Sequence, residues 1–329
     1  MSTLILSQED VRKALSIEKV IDSVKAGYRA YQKGVLQQPD IQSMEMPANN
    51  GETDIKSCYN QDSEVVSVKI ASGFYDNGKQ NDLPSMIGVI TLLDGKTGYP
   101  LCVMDGGLIT NIRTGAAGAI SCELFARANA KTVCVLGGGG QAREQVRCLK
   151  KVRDIQEVRV FSEYPEELPA YKADIEKDPG ISVTICSSAE EAMEGADIAI
   201  STTPSKHYLA DASLVRPGMH IVAVGADMAG KNEWDPALFS KADKVICDSI
   251  AQCVSRGETR NGILAGTITQ EGIYAEIGEV LLGNRPGRES DSEITVFDTT
   301  GMGVQDNVTA AAVYETAKQE GMGIEFSFI

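Results

Sequence analysis

From Thr132 onward, short apolar runs alternate with amphipathic segments, a pattern typical of strands and helices that follow each other in turn. Buried parallel strands form nearly continuous apolar runs because helices cover both faces of their sheet. The pattern predicts strands at 132–137, 157–162, 181–187, 197–203, 220–226, 244–248 and 294–299. We therefore expect an α/β fold with a doubly wound Rossmann sheet in this part of the chain.

Residues 1 to about 115 follow a different pattern. Helical periodicity runs from Ser7 to Lys33, and Ser7 is the predicted N-cap. Strand-like runs follow at 64–70, 85–93 and 101–104. The Asp-Gly-Lys-Thr-Gly sequence at 94–98 predicts a hairpin turn between the last two strands. These features predict a mixed α+β domain.

A last helical pattern covers residues 305–320, and we expect this helix to return to the first domain. The chain is long enough for two domains. We predict one domain made of residues 1–115 and 305–329, and a second, doubly wound domain made of residues 116–304.

The glycine-rich segment Gly137–Ala142 is the most informative motif of the chain. It follows an apolar strand and precedes a helical pattern, which is the context of a dinucleotide-binding turn. Gly137 permits the tight turn, and Gly139 lets the backbone approach a pyrophosphate at the helix N-terminus. This context predicts a nicotinamide or flavin dinucleotide cofactor.

The end of the second Rossmann strand predicts which dinucleotide binds. Many such folds place an acidic residue there to hold the ribose hydroxyls. Here Ser162 occupies that position and Glu163 follows it, with no adjacent Arg or Lys to receive a 2′-phosphate. This arrangement favours NAD over NADP, although Glu163 alone also fits an exposed charge at a strand end.

Further polar residues stand where ligands bind in an open α/β sheet, at the carboxyl ends of strands. The hydroxyl of Thr202 ends one strand and fits a contact with the nicotinamide ribose. Asp227 ends the strand that contains Val224, and it is the acid/base candidate of this half or a turn cap. Lys69 interrupts an apolar strand and needs a partner or ligand, unless it lies at an exposed edge. Arg113 precedes Thr114 and a run of small residues that would let an anion approach closely.

Composition excludes several other classes of protein. The net charge of −15 argues against binding to nucleic-acid phosphates or to an anionic membrane surface. The N-terminus shows no signal-like segment and no apolar run is long enough to span a bilayer, so we expect a cytoplasmic protein. The eight cysteines lack CxxC spacing, which predicts buried free thiols and no metal site. The two histidines are expected to be structural.

Several motifs together resemble the ornithine cyclodeaminase/mu-crystallin family. They occur in the family's order at residues 69–74, 105–110, 113–117, 137–143, 224–227 and 297–301. The resemblance implies a Rossmann domain and a second domain that binds substrate and forms a homodimer. It also implies an NAD(P)-dependent amino-acid dehydrogenase, an imine reductase or a cyclodeaminase.

The resemblance implies roles for the matching residues. Lys69 and Arg113 would bind the α-carboxylate of an amino or imino acid, and Asp227 would exchange a proton near the substrate nitrogen. Gly139, Gly140 and Gln141 would cradle the pyrophosphate. Asp298 and Thr299 would close the nicotinamide pocket.

The chain departs from the cyclodeaminase pattern in two polar positions. No arginine lies between Arg29 and Arg113, and Met44 replaces the glutamate that would receive a distal ammonium. Glu45 is one residue out of phase with that position. The additional Lys56 is a candidate for binding a substrate carboxylate. These differences favour a dehydrogenase or imine reductase over a cyclodeaminase, and a non-catalytic NAD(P)H-binding protein is the third alternative.

Overall fold

The structure is a computed structural model that describes residues 2–328. Contacts within the chain divide it into two compact units. The first unit contains the residues up to Arg113 and those from Met302 onward, and the second unit is Thr114–Gly301.

The described residues form strands and helices throughout the chain. The strands are β1 (Thr3–Leu6), β2 (Leu36–Gln37), β3 (Gln42–Met46), β4 (Gly51–Asn60), β5 (Val65–Phe74), β6 (Met86–Asp94), β7 (Pro100–Asp105), β8 (Thr132–Leu136), β9 (Glu157–Phe161), β10 (Ser182–Ile185), β11 (Ile198–Ser201), β12 (His220–Ala223), β13 (Lys244–Cys247), β14 (Ala275–Glu276), β15 (Thr295–Asp298) and β16 (Ile324–Phe326). The α-helices are α1 (Gln8–Ala14), α2 (Ile17–Gln32), α3 (Asn77–Gln80), α4 (Gly107–Phe125), α5 (Gly140–Leu149), α6 (Leu168–Ile175), α7 (Ala189–Met193), α8 (Leu238–Lys241), α9 (Ile250–Arg256), α10 (Glu258–Leu264), α11 (Ile277–Leu281) and α12 (Gly303–Glu320).

The N-terminal helical region consists of two helices. Ser7 caps α1 as predicted, because its hydroxyl accepts the Asp10 N–H and the Asp10 carboxylate accepts the Ser7 N–H. The helical periodicity from Ser7 to Lys33 is divided between two helices. Leu15 adopts an extended backbone, and the Ser16 hydroxyl then accepts the Lys19 N–H to start α2. A capping residue inside a helical pattern therefore marks a break that periodicity alone does not reveal.

The first unit contains a sheet in the order β16-β1-β7-β6-β5-β4-β2, with β3 also paired to β4. The pair β1 and β7 is parallel, and the other pairs are antiparallel. The predicted hairpin between β6 and β7 is confirmed, since Asp94 Oδ1 accepts the N–H groups of Lys96 and Thr97 at 3.0 and 2.8 Å. Strand β4 was not predicted because polar residues occupy positions on both of its faces.

The two faces of this sheet differ in how far their side chains are buried. One face carries buried side chains such as Ile90, Leu92 and Met104, and α12 packs across β4 and β5 as well as against α2. The other face leaves apolar side chains exposed, including Ile70 and Val89, which are direct cross-strand partners. The alternation follows from the two-residue period of a strand.

The second unit contains a parallel sheet in the order β10-β9-β8-β11-β12-β15-β13-β14. This confirms the doubly wound α/β fold, and all seven strands predicted from the apolar runs are present, each shorter than predicted by one to three residues. Every residue of β11, β12, β13 and β15 is buried, as expected when helices cover both faces of a sheet.

Helix α4 explains the small residues that follow Arg113. A Cβ atom on Gly115 would lie 2.6 Å from the carbonyl oxygen of Glu144 on α5. Glycine at this position therefore lets α4 approach α5 closely, and the predicted approach of an anion to these small residues stays a prediction. None of the helices within residues 2–328 is long and apolar enough to cross a membrane. All eight cysteines are buried free thiols, as predicted.

Candidate active site

Lys69 and Arg113 lie together in the first unit, where both bind the carboxylate of Asp306. Lys69 Nζ is 2.7 Å from Asp306 Oδ2, and Arg113 Nε is 3.0 Å from Asp306 Oδ1. The three side chains are at most 5% exposed. Lys69 Nζ also donates to Thr110 Oγ1 at 3.3 Å. Lys69 is therefore not at an exposed edge, and its required partner is a carboxylate from α12.

The surroundings of Lys69 change its protonation. Burial lowers its pKa to about 7, the Asp306 carboxylate opposes the shift, and the cations Arg113 and Lys56 add to it. Lys56 is buried and is the direct cross-strand partner of Lys69. Lys69 and Arg113 bring the pKa of Asp306 below its usual value although burial acts in the opposite direction. Three predicted substrate-binding residues thus lie around one buried carboxylate.

Two residues that sequence analysis missed support this cluster, Asp306 and Gln305. Gln305 Oε1 accepts a hydrogen bond from Arg113 Nη1 at 3.0 Å, and Gln305 Nε2 donates to the Tyr28 hydroxyl at 2.6 Å. The consecutive polar residues 305–307 in a buried helix were the available signal, since buried polar groups need partners.

The cluster is suited to binding a carboxylate. Asp306 is the carboxylate that the described residues place within ion-pair distance of both Lys69 and Arg113. While Lys69 is protonated, one carboxylate shared by two cations leaves a positive charge, and a buried charge requires a counterion. A ligand carboxylate would supply one.

The glycine-rich turn of the second unit connects β8 to α5 as predicted. Gly137 has φ +108°, and a Cβ atom there would lie 2.9 Å from Thr202 Oγ1. A Cβ atom on Gly139 would meet no atom of the described residues within 4 Å. The turn thus needs glycine at position 137 because the backbone has a positive φ there. The space above Gly139, at the N-terminus of α5, is open. Gly140 and Gln141 begin that helix.

The end of β9 lies beside the same turn. Ser162 Oγ donates to Glu167 Oε1 at 2.7 Å, and Glu167 Oε1 also accepts the Gly138 N–H at 3.0 Å. Glu163 lies at the surface, with its Oε1 3.2 Å from His207 Nε2. Sequence analysis did not identify Glu167, because it lies five residues beyond the position usual for an acidic ribose ligand.

The carboxyl ends of β11 and β12 are joined by Glu233, another residue that sequence analysis missed. Glu233 Oε2 accepts Ser201 Oγ and the Gly225 N–H, both at 2.8 Å, and Glu233 Oε1 accepts the Thr203 N–H. Burial raises the pKa of Glu233 to about 7. This carboxylate fixes the loop that carries Asp227. A glutamate in a loop normally indicates solvent exposure, so the sequence held no signal for this role.

Asp227 itself is nearly half exposed and forms an ion pair with Lys231 at 2.7 Å. Its carbonyl oxygen accepts Arg256 Nε at 2.6 Å. Val224 continues β12 toward this loop, and its N–H donates to the Ser201 carbonyl at 3.1 Å. An exposed carboxylate at the carboxyl end of a parallel strand can exchange protons with a ligand bound there.

Asp298 and Thr299 end the neighbouring strand β15 and belong to a buried polar network. Asp298 Oδ2 accepts the Thr259 N–H at 2.8 Å, and Thr299 Oγ1 donates to Asp248 Oδ2 at 2.7 Å. Burial raises the pKa of Asp298 to about 7. Because both side chains are engaged inside the unit, their predicted role at the nicotinamide stays a prediction.

Cys247 and Cys253 lie close enough to Asp298 for the three to share a metal ion. Thiols bind metals as thiolates, and burial raises the pKa of Cys253 well above its usual value. Cys253 Sγ instead donates to Asp248 Oδ1 and the Asp298 carbonyl, both at 3.4 Å. These contacts fit a network of hydrogen bonds in the protein core.

Both histidines have partners that fit structural roles. His220 is buried between the hydroxyls of Ser121 and Thr295, at 3.1 and 2.8 Å. Burial lowers the pKa of His220 to about 3, so the ring is neutral at physiological pH. His207 is exposed and faces Glu163.

Comparison with known proteins agrees with the resemblance seen in the motifs. Residues 1–321 match the sequence model of the ornithine cyclodeaminase/mu-crystallin family. The alanine dehydrogenase of Archaeoglobus fulgidus is 35% identical over 328 residues, which cover 100% of this chain and 99% of that protein.

Two solved structures are similar over their whole length. An archaeal alanine dehydrogenase dimer with bound NAD has a TM-score of 0.93 and 34% identity, with 100% of each chain covered. The Δ1-pyrroline-2-carboxylate reductase of Thermococcus litoralis, in complex with NADH and L-proline, has a TM-score of 0.94 and 32% identity, with 98% of this chain and 99% of the other covered.

Proposed function

Because the chain belongs to the ornithine cyclodeaminase/mu-crystallin family, we propose that it is an NAD-dependent oxidoreductase acting on a small amino acid or its imine. The observation that carries this proposal is the full-length similarity to an alanine dehydrogenase and to an imine reductase, each with a bound nicotinamide dinucleotide. The open space above Gly139 and the buried pair of Lys69 and Arg113 support it.

Lys69 and Arg113 bind the substrate α-carboxylate in this proposal. Two cations around one carboxylate can accept a second carboxylate without leaving a buried charge unpaired. Lys56, in register with Lys69, adds positive charge for a substrate with a further acidic group. Fixing the carboxylate orients the α-carbon, which is the main contribution that a binding residue makes to rate.

NAD(H) would supply or accept the hydride at the α-carbon. In the reductive direction the imine carbon gains the hydride and Asp227 delivers a proton to the nitrogen, so that an amine results. In the oxidative direction Asp227 accepts that proton. A positioned carboxylate suits this role because it lies at the carboxyl end of β12 and is not buried.

The residues proposed to hold the dinucleotide come from the glycine-rich turn, the neighbouring strand ends and helix α4. The turn supplies backbone N–H groups for the pyrophosphate. The proposed set is Arg113, Thr114, Gly137, Gly139, Gly140, Gln141, Ser162, Thr202, Val224, Asp298 and Thr299. Glu163, which the sequence also predicted for this set, is left out because its exposed carboxylate faces His207. We propose NAD rather than NADP because the end of β9 offers no cation for a 2′-phosphate.

We also propose that the protein forms a homodimer through the exposed face of the sheet in the first unit. The apolar side chains of Met44, Ile70, Ile87 and Val89 on this sheet are 37–50% exposed. Clustered apolar exposure marks an interaction surface. The archaeal alanine dehydrogenase is a dimer, which favours a second copy of the chain as the partner.

The test is an assay of pure protein with NADH or NADPH, ammonia and a panel of 2-oxo acids, with Δ1-pyrroline-2-carboxylate, and with ornithine plus NAD. We expect NADH oxidation with at least one oxo acid or imine. Ammonia release from ornithine without net change in NADH would indicate a cyclodeaminase instead. Binding of NADH without turnover of any compound would favour the non-catalytic alternative.

A further inference from the structure

The carboxylate of Glu167 lies directly over the glycine-rich turn of the second unit. Its Oε1 accepts the Gly138 N–H at 3.0 Å and the Ser162 hydroxyl at 2.7 Å. A Cβ atom on Gly138 would lie 2.9 Å from the carboxylate carbon of Glu167. Glycine at position 138 is therefore what allows this carboxylate to reach the turn.

The location matters because Rossmann folds bind the adenine ribose where the second strand ends. In this chain Ser162 occupies the position at the end of β9 where an acidic residue is usual. Ser162 is buried and carries no charge, but its hydroxyl holds Glu167 in place. A negative charge is thus present at this position, supplied from the start of α6.

Glu163 is the competing source of negative charge. Its carboxylate faces the His207 ring at 3.2 Å, and both side chains are exposed. Glu167 is only half-buried, and both of its hydrogen bonds fall on Oε1. Within residues 2–328, no donor bonds to Glu167 Oε2, so that this oxygen is available to a ligand hydroxyl.

A basic side chain near the turn is already engaged. Arg143, in the first turn of α5, pairs with Asp174 at 3.4 Å and lies over the Tyr171 ring at 5.5 Å. A 2′-phosphate would therefore meet the Glu167 charge without this arginine as a ready counterion. Repulsion of like charges is an effective means of rejecting a near-identical ligand.

We propose that Glu167 selects NAD over NADP by accepting a hydrogen bond from the 2′-hydroxyl of the adenine ribose and by repelling a 2′-phosphate. The proposal rests on the proposed function, since it assumes that a nicotinamide dinucleotide binds at the glycine-rich turn. It assigns the discrimination to Glu167 and a positioning role to Ser162, and it leaves Glu163 outside the ribose site.

The experiment measures dissociation constants for NADH and NADPH by fluorescence titration of the wild-type protein and three variants. Glu167→Gln removes the charge at the turn and keeps an oxygen acceptor. Glu163→Gln removes the competing charge. Glu166→Gln removes an exposed neighbouring charge and serves as the matched control.

In the wild type we expect NADH to bind more tightly than NADPH. Glu167→Gln should reduce the ratio of the two constants by about tenfold, since loss of a like-charge contact of about 1.4 kcal/mol has that effect. Neither other variant should change the ratio by more than about twofold.

Several results would overturn the proposal. Equal weakening of both cofactors in Glu167→Gln would show that the carboxylate only holds the turn. A changed ratio in Glu163→Gln alone would assign the ribose to Glu163, and a wild-type preference for NADPH would contradict selection by either. The first two outcomes leave the proposed function intact, and a preference for NADPH would change its cofactor but not its reaction. Failure of the wild type to bind either dinucleotide would refute the proposed function as well.

Discussion

At the scale of single residues, the proposal gives Asp227 and Lys69 different tasks that kinetics can separate. Asp227→Asn removes proton exchange while nearly preserving shape, so kcat should fall by about 10²–10⁴-fold. Lys69→Ala removes a charge that holds the substrate in the ground state and the transition state, so KM should rise as kcat falls. Steady-state kinetics with the best oxo acid or imine provides the measurement.

NADH titration of both variants is the control, and each should bind NADH like the wild type because the glycine-rich turn is unchanged. If Asp227→Asn keeps near-normal turnover, then Asp227 is only a turn residue and another group supplies the proton.

The low pKa of Lys69 predicts a pH dependence. A lysine is cationic below its pKa and neutral above it, so kcat/KM should fall as pH rises through about 7. Burial is the main cause of the low value, Arg113 and Lys56 contribute in the same direction, and Asp306 opposes them. Asp306→Asn should therefore shift this decline to lower pH.

Lys69→Arg is the comparison for this pH profile, because a guanidinium stays charged throughout the range. The decline near pH 7 should be absent in that variant, even if its activity is lower. A decline at the same pH in the wild type and in Lys69→Arg would assign the titration to another group.

At the scale of elements, the glycine-rich turn allows a comparison of two similar substitutions. Gly137→Ala places a side chain at φ +108° and 2.9 Å from Thr202 Oγ1, so we expect it to destabilise the protein by about 1–3 kcal/mol. Gly139→Ala meets no described atom within 4 Å and should leave the free energy of unfolding unchanged.

Gly139→Ala should nevertheless weaken NADH binding, because its methyl group fills the space proposed for the pyrophosphate. Urea denaturation and NADH titration of both variants check the prediction. Unchanged NADH affinity in Gly139→Ala would contradict a pyrophosphate site at this position.

Most elements of the second unit could be predicted because covered parallel strands produce apolar runs that sequence alone reveals. The predicted end of each strand lies one to three residues beyond the observed end. The residues in between belong to the loop that follows the strand. Strand β4 and the break at Leu15 escaped prediction. Pairing with neighbouring strands forms β4, and local capping hydrogen bonds form the break at Leu15. Periodicity reveals neither kind of hydrogen bond.

The candidate site was only partly predictable for a related reason. Lys69 stood out as a charge in an apolar strand, but its partner Asp306 lies 237 positions away on α12. Glu167 and Glu233 likewise act through tertiary contacts. The glycine-rich motif could be found from the sequence, whereas Asp306, Glu167 and Glu233 reach their positions only in the completed fold.

At the scale of the whole molecule, the exposed apolar sheet face predicts a homodimer. Light scattering at micromolar concentration should give twice the chain mass of 35.2 kDa. Ile70→Glu should weaken the dimer, because burial of an isoleucine contributes about 1.5–3 kcal/mol and a buried charge adds a cost.

Leu264→Glu is the matched control, since Leu264 is 70% exposed on α10 in the second unit. It should not change the mass in solution. A wild-type monomer at micromolar concentration, or a dimer that Ile70→Glu leaves unaffected, would exclude this face as the interface.

The most direct test of the central claim follows a labelled hydride to its destination. Pure protein is incubated with NADH deuterated at the transferred C4 position and with Δ1-pyrroline-2-carboxylate or a 2-oxo acid plus ammonia. Mass spectrometry and NMR then locate the label. We predict an amino acid with deuterium on its α-carbon, and at least about a hundredfold less of it when Asp227→Asn replaces the wild type at matched times. An amino acid product without deuterium on that carbon, or no product from any compound of the panel, would contradict the proposed hydride transfer.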